Sequence, residues 1–250
     1  MQINFNKITP AFRSTGRFYD SPEGDSFGCN SWLFREDLDW KKTAKYEADL
    51  FKNKDKVNIE MYAASDGSEG YTKMISLFEH FGQENSEGAE KFFPIIAYDI
   101  DDEILKAARS GLLKTCLADR MNIQMFCENY EDYFEPANKE LEIKDDKKLQ
   151  AEKTLAVKNK LTRNIKFLQG DMFQKVREIK DESNTILMCR NILGYFLNDK
   201  IEEFVKLASE VLKSNSLFEI GDHDSKFFDI KTCMESYGFK QVLKNVYRKL

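Results

Sequence analysis

The chain has 250 residues, 42% of them hydrophobic and 32% charged, with 38 Lys and Arg against 43 Asp and Glu. That balance excludes intrinsic disorder and gives enough chain for one large domain or two small ones. A net charge of -5 argues against duplex nucleic acid as a partner, because such binders carry a strong basic excess. Cys29, Cys116, Cys127, Cys189 and Cys233 are widely spaced with no CxxC, which argues against a disulfide framework and a zinc ribbon. The only histidines are His80 and His223, so a His-rich metal site is excluded and no metal is expected. No apolar run approaches the ~20 residues of a membrane helix, and the start MQINFNKITP lacks the apolar core of a signal peptide. A cytoplasmic protein without membrane insertion is expected.

In chain order, residues 1–28 carry scattered Gly, Pro, Ser and Asp with no persistent period and read as a flexible arm. Ser31 to Lys52 turns helical, with Trp32, Leu33, Trp40, Tyr46, Leu50 and Phe51 among charges. VNIEMYA (57–63) reads as a strand that runs through a small-residue turn into a helix from about Glu69 to Phe81. PIIAYD (94–99) reads as the next strand, and Asp101 or Asp102 can cap a helix that stops near Gly111. The alternation breaks over about 112–163, where residues 135–160 mix lysines with acids and read as an exposed insertion. It resumes with strands at 165–171, 185–191 and 216–222, a helix at 199–212, and one or two late strands in FKQVLKNVYRKL. Strand and helix in alternation predict an α/β fold with a parallel, doubly wound sheet.

Two features meet at the carboxyl edge of that sheet, where open α/β folds bind ligands. AASDGSEG (63–70) follows a strand and opens a helix, so its glycines allow close backbone approach. Asp99 ends the next strand, where a carboxylate can accept from both ribose hydroxyls. With only Gly67 and Gly70 the loop does not meet GxGxxG, and a plain strand–helix connection stays open beside a nucleotide site. Glu69, in the first helical turn, would repel a pyrophosphate but can hold an ammonium group. That shifts the expected ligand from a dinucleotide to an adenosine bearing an amino acid, S-adenosylmethionine.

The order AASDGSEGYT (63–72), AYDIDDEILKAARSG (97–111) and MCRNILGYF (188–196) resembles the chemotaxis receptor methyltransferases of the CheR type. Their corresponding stretches read like AASTGEEPYS, ASDIDxxxLxxARxG and FCRNVxIYF. NSWLFRED (30–37), NYEDYF (129–134) and IKFLQGDMF (165–173) are similar to the family's NxTxFFRE, RYF and VxFxxxNL segments, so the likeness runs from about Cys29 to the end. It implies a Rossmann-like methyltransferase fold over 29–250, with a mostly parallel seven-stranded sheet, helices on both faces and a small charged insertion. It also implies S-adenosylmethionine as cofactor and S-adenosylhomocysteine as product. By the resemblance, Glu69 would hold the methionine ammonium and Asp99 the ribose hydroxyls, while Asp171 and Met172 would flank the adenine. Arg190 and Asn191 would line the methionine side, Ser31 and Arg35 would reach in from the preceding segment, and Tyr195 would stand near the transferred methyl.

The chain departs from the family in several places. Cys29 stands where an Asn is expected unless Asn30 substitutes by a one-residue shift. Ser68 and Gly70 replace Glu and Pro of GEEPYS, and GDHDS (221–225) stands for GHSE. The family's N-terminal helical domain has no counterpart in the 28 residues before Cys29. The expected activity is O-methylation of a protein carboxylate, with Arg35 orienting the acceptor and Tyr195 beside the methyl. A glutamate acceptor is already ionised at neutral pH and needs no general base, which suits a chain poor in histidine. A small-molecule acceptor on the same fold, or a non-catalytic SAM-binding interaction protein, stays open.

Overall fold

Strand residues alternating between two apolar layers build the central sheet of the computed structural model, which describes residues 17–20, 26–29, 31–82, 87–115, 117–137, 153–180, 184–226 and 228–250. Within the expected arm, β1 (Arg17–Asp20) and β2 (Ser26–Cys29) pair antiparallel. No period in the sequence announced this two-stranded ribbon, because four-residue strands are too short to display one. The rest of 1–28, and Asn30, lie outside the described residues. Helix α1 spans Trp40–Leu50, later than the expected start near Ser31. Asp39 caps it by accepting from the Lys42 backbone N–H at 3.1 Å. Residues 31–39 form an irregular strap that turns at Phe34, φ 51°.

The alternation then follows as expected. β3 (Asn58–Tyr62) leads into α2 (Ser68–Phe81), and after α3 (Glu87–Glu90) comes β4 (Ile95–Asp99). α4 (Asp102–Ser110) starts at Asp101, whose side chain accepts from the Glu103 N–H, and stops at Gly111 in the left-handed region, φ 66°. β5 (Leu112–Thr115), α5 (Leu117–Phe126), β6 (Phe134–Pro136) and β7 (Lys153–Val157) make up the insertion. Its strands form a separate antiparallel sheet in the order β5-β7-β6. The expectation that 135–160 is wholly exposed is corrected here. Leu155 and Val157 are buried in the main core, since the alternating apolar face of β7 turns inward; residues 138–152 lie outside the described residues.

α6 (Asn159–Thr162), β8 (Ile165–Gln169), α7 (Met172–Lys175), β9 (Thr185–Met188), α8 (Asn198–Val211), β10 (Leu217–Glu219), α9 (Ile230–Ser236), β11 (Phe239–Leu243) and β12 (Val246–Lys249) complete the chain. The seven-stranded sheet has the order β11-β12-β10-β9-β3-β4-β8. It is parallel except for β12, which inserts antiparallel between β10 and β11. Ile59, Met61, Ile186 and Met188 face α1, α2 and α4, whereas Tyr62, Leu187 and Phe218 face α7, α8 and α9. The period of two puts a core on each face and helices on both. No helix among the described residues is long and apolar enough to cross a membrane.

One polar cluster sits inside the first core. Lys73 of α2 pairs with Glu47 of α1 and, at 2.7 Å, with Glu219 at the end of β10, and all three are fully buried. Burial pushes the Glu47 carboxyl well above its ordinary value, and the neighbouring Glu219 adds to the rise while Lys73 opposes it. Glu219 goes the other way: burial raises it, and Lys73 with the Glu47 hydrogen bond outweighs that and lowers it. The opposite shifts place the cluster's negative charge preferentially on Glu219, beside the Lys73 ammonium, and disfavour charge on Glu47.

Two variants test this. Lys73→Met strands two carboxyls and is expected to cost about 3–5 kcal/mol in urea unfolding. Glu47→Gln keeps an acceptor for Lys73 without the buried carboxyl and is expected to cost under about 1.5 kcal/mol. A raised folded-state value means that stability falls as pH climbs from the ordinary 4.5 through the folded value. The Gln variant should lose that part of the pH dependence.

Candidate active site

The sheet reverses direction between β3 and β9: β3, β4 and β8 step outward on one side, β9 and β10 on the other. The crevice beyond the carboxyl ends at such a point is where ligands bind in open α/β sheets. Three residues of the turn after β3 are left-handed, Ala63 at φ 56°, Ser65 at 52° and Gly67 at 85°. Left-handed Ala and Ser are costly outside special sites. At Gly67 a Cβ would meet the Phe167 ring at 2.7 Å. The tight turn delivers Glu69 to the first turn of α2, where the helix dipole favours a negative charge.

Glu69 is 9% exposed. Its Oε1 lies 3.3 Å from Nη1 of Arg190 and 4.0 Å from Nη1 of Arg35. Burial pushes the Glu69 carboxyl up from 4.5, and the two guanidiniums pull it back. The Arg190 side chain is fully buried. Its Nη2 donates to Oδ1 of Asp37, while Nε and Nη1 have no partner in hydrogen-bond geometry. Burial disfavours its charge, but Glu69 and Asp37 outweigh that and raise its pKa. The Arg190 guanidinium also stacks 4.6 Å over Trp40, and that of Arg35 4.0 Å over Trp32.

Asp37 was not singled out in the sequence, yet it organises this edge. Its Oδ2 accepts from Asn191 Nδ2 at 2.8 Å and from the Asp222 N–H at 3.2 Å. Asn245, between β11 and β12, donates to the Asp37 carbonyl at 2.7 Å. The other end of the strap is pinned by Asp119, which accepts from Leu33 N–H at 2.8 Å, and by Thr72 Oγ1, which accepts from Phe34 N–H at 3.0 Å. Asp224 of GDHDS was also missed. It is fully buried and accepts from the N–H groups of Gly221 and Asn191 at 2.7 Å and of Gly194 at 3.2 Å. It clamps the loops after β9 and β10 together. The only sequence signal for either residue was an acid inside a quoted segment, NSWLFRED or GDHDS.

The remaining expected residues divide. Asp99 is half-buried, and each oxygen accepts one backbone N–H, Ser65 at 2.9 Å and Asp101 at 3.1 Å. A carboxylate has about four lone-pair sites, so acceptor capacity remains for hydroxyls. Asn191 is left-handed, φ 59°, and its amide is engaged at both ends, by Asp37 and by the His223 N–H at 3.1 Å. Tyr195 is 45% exposed and its ring lies 4.7 Å from that of His223. Burial, then Lys226 and Arg35, lowers the His223 pKa from 6.5, so this imidazole is neutral at pH 7. Ser31 is buried at the start of the strap. Asp171 caps α7, accepting from Gln174 N–H at 3.0 Å, and Met172 packs into the second core.

Parallel strands, this switch point and an acidic helix start define an S-adenosylmethionine-dependent methyltransferase once the comparisons with known proteins are added. Residues 30–241 match the family described as CheR methyltransferase, SAM binding domain. The chain belongs to that CheR methyltransferase family, and its cofactor is S-adenosylmethionine. No curated protein matches the sequence.

Among solved structures the chain is similar to magnesium protoporphyrin IX methyltransferase from Synechocystis with bound S-adenosylhomocysteine, at 8% identity and TM-score 0.41, covering 84% of this chain and 83% of that one. It is similar also to a SAM-dependent methyltransferase from Archaeoglobus fulgidus, at 12% identity and TM-score 0.38, covering 80% and 68%. A third is the DszA carbon methyltransferase, at 9% identity and TM-score 0.45, covering 84% and 53%.

Gly221→Ala tests the clamp. Its Cβ would stand 2.2 Å from Cγ of Asn191, so the amide must leave Asp37 and His223. Overpacking of this kind is expected to cost about 1–3 kcal/mol by thermal or urea unfolding, with weaker binding of S-adenosylhomocysteine by calorimetry.

Proposed function

We propose that the chain methylates a carboxylate, most simply a glutamate side chain of a protein, and does so in the cytoplasm. The observation that carries this reading is the Glu69 carboxylate, buried at a helix start between two guanidiniums of unequal exposure. Arg190 is sealed in, while the Arg35 side chain is 19% exposed. Glu69 would take the ammonium of the cofactor's amino acid and Asp99, with its spare lone pairs, the ribose hydroxyls. Asp171, Met172, Ser31 and Asn191 would act through the walls they brace: the end of β8, the strap and the loop after β9. S-adenosylmethionine supplies an electrophilic methyl on a sulfonium.

The protein's share is orientation and exclusion of water. Arg35 can turn from Glu69 toward an incoming carboxylate, since its ion pair is long, 4.0 Å, and its stacking on Trp32 can persist as the head group swings. Such a charge-assisted pair would hold the nucleophile in line, and proximity of this kind supplies much of the barrier reduction when no proton has to move. Tyr195, exposed beside His223, stands at the mouth, where its hydroxyl can meet the acceptor.

The test is incubation with methyl-labelled S-adenosylmethionine and a cell extract. Label on protein that mild base releases as methanol supports a carboxyl ester. Base-stable label, or label on small molecules, points to another acceptor, and tight cofactor binding with no transfer points to a non-catalytic protein. Tyr195→Phe is expected to lower kcat by about tenfold or more with S-adenosylhomocysteine affinity unchanged, as for a contact made only in the transition state. Because burial raises the Glu69 pKa from 4.5, the carboxylate protonates at a pH above that value. Calorimetry at falling pH should therefore show affinity lost before ordinary carboxylates titrate.

A further inference from the structure

We propose that Asp37 is a positioning residue that keeps Glu69 available to the cofactor's ammonium by taking the hydrogen bond of the Arg190 guanidinium, which pairs with Glu69 at 3.3 Å without hydrogen-bonding to it. The inference rests on the assignment of Glu69 to the ammonium. Arg190 is fully buried and cannot satisfy its charge with water. Four carboxylates face it: Glu69, Asp37, Glu219 and Asp224. Of these, Asp37 and Glu69 form ion pairs with the guanidinium, whereas Glu219 gives its Oε1 to Lys73 and Asp224 accepts from backbone N–H groups. The contest is thus between Glu69 and Asp37.

Asp37 wins the hydrogen bond from Nη2, while Nη1 stays 3.3 Å from Glu69 without hydrogen-bond geometry. Asp37 is itself locked, its Oδ2 held by Asn191 and the Asp222 N–H. With the Asp37 charge removed, Arg190 has Glu69 as its remaining ion-pair partner. The full hydrogen-bonded pair would then form and neutralise the carboxylate. At that point two guanidiniums share one carboxylate, a net positive site that repels an ammonium and spares a ligand lacking one.

Calorimetry on the full chain with S-adenosylhomocysteine and its analogue lacking the α-amino group tests this. The ratio of the two Kd values measures what the ammonium contributes. Asp37→Asn should reduce that ratio by roughly tenfold, the order expected for losing one charge-assisted contact. Asn245→Ala cuts the bonds to the Asp37 carbonyl and to Asp222 without changing charge at Arg190, and should leave the ratio as in the wild type. An unchanged ratio in Asp37→Asn, or an equal collapse in Asn245→Ala, overturns the proposal in favour of simple tethering of the strap.

If Asp37→Asn does not fold, Asp37→Glu retains the charge and should keep the wild-type ratio; a collapsed ratio there overturns it as well. Glu69→Gln separates the two levels. An unchanged ratio in that variant removes the ammonium role of Glu69 itself. A collapse there with no change in Asp37→Asn removes only the role of Asp37.

Discussion

A guanidinium cannot be taken out of water without a carboxylate to meet it, and the buried Arg190 therefore dictates much of what surrounds it. Its charge is met by Asp37 from the strap and by Glu69 from α2. Because Arg190 follows β9, these contacts gather three segments far apart in sequence onto the crevice where the sheet reverses. Trp40 closes the other face of the guanidinium at 4.6 Å. The site is a row of alternating charge, Arg35, Glu69, Arg190 and Asp37, whose members are hard to change singly.

A second buried charge cluster centres on Lys73. Lys73 stands one helical turn after Glu69 on α2 and binds Glu219, which ends β10 just before the GDHDS loop. The helix that carries Glu69 is thus keyed to the strand that leads into the Asp224 loop. Both clusters place their charge where hydrogen-bonded carboxylates offset the cost of burial, and both join helices on one layer to strand ends. Rigid strand ends hold a site more closely than loops alone, and here the loops are cross-linked as well. Asp224 accepts from backbone groups on two of them, and Asn191 joins the strap to His223.

The chain's departures from the family pattern acquire reasons at this edge. GDHDS keeps a histidine beside the mouth and moves an acid into the buried clamp, with Gly221 leaving room for the Asn191 amide. Gly194 serves the same end: a Cβ there would come within 2.8 Å of the His223 carbonyl oxygen, so its absence lets the histidine close on the Tyr195 loop. Nothing in the structure explains Gly70 in place of the family's Pro beyond space: a Cβ there would meet Ile165 Cδ1 at 2.5 Å.

Local chemistry made the elements legible in the amino-acid sequence. Periods of two and of three to four, an Asp before α4 and a Gly after it, and an acid in the first turn of α2 are all readable from neighbours in the chain. Glu69 and Asp99 could be singled out because one opens a helix and the other ends a strand, whereas Arg190 and Tyr195 came only from the resemblance of MCRNILGYF to the family. What residues 31–39 do could not be read that way. Their aromatic and charged residues mimic a helix, yet Asp119, Asn122, Asp222 and Asn245 hold them as an irregular strap across the edge. Those partners lie 85 or more positions away. Likewise an aspartate at 37 or 224 is locally an ordinary surface acid. Only the closing of the fold buries each one beside the donors it must satisfy, and partner choice of that kind is decided by distance in space, which no spacing along the chain encodes.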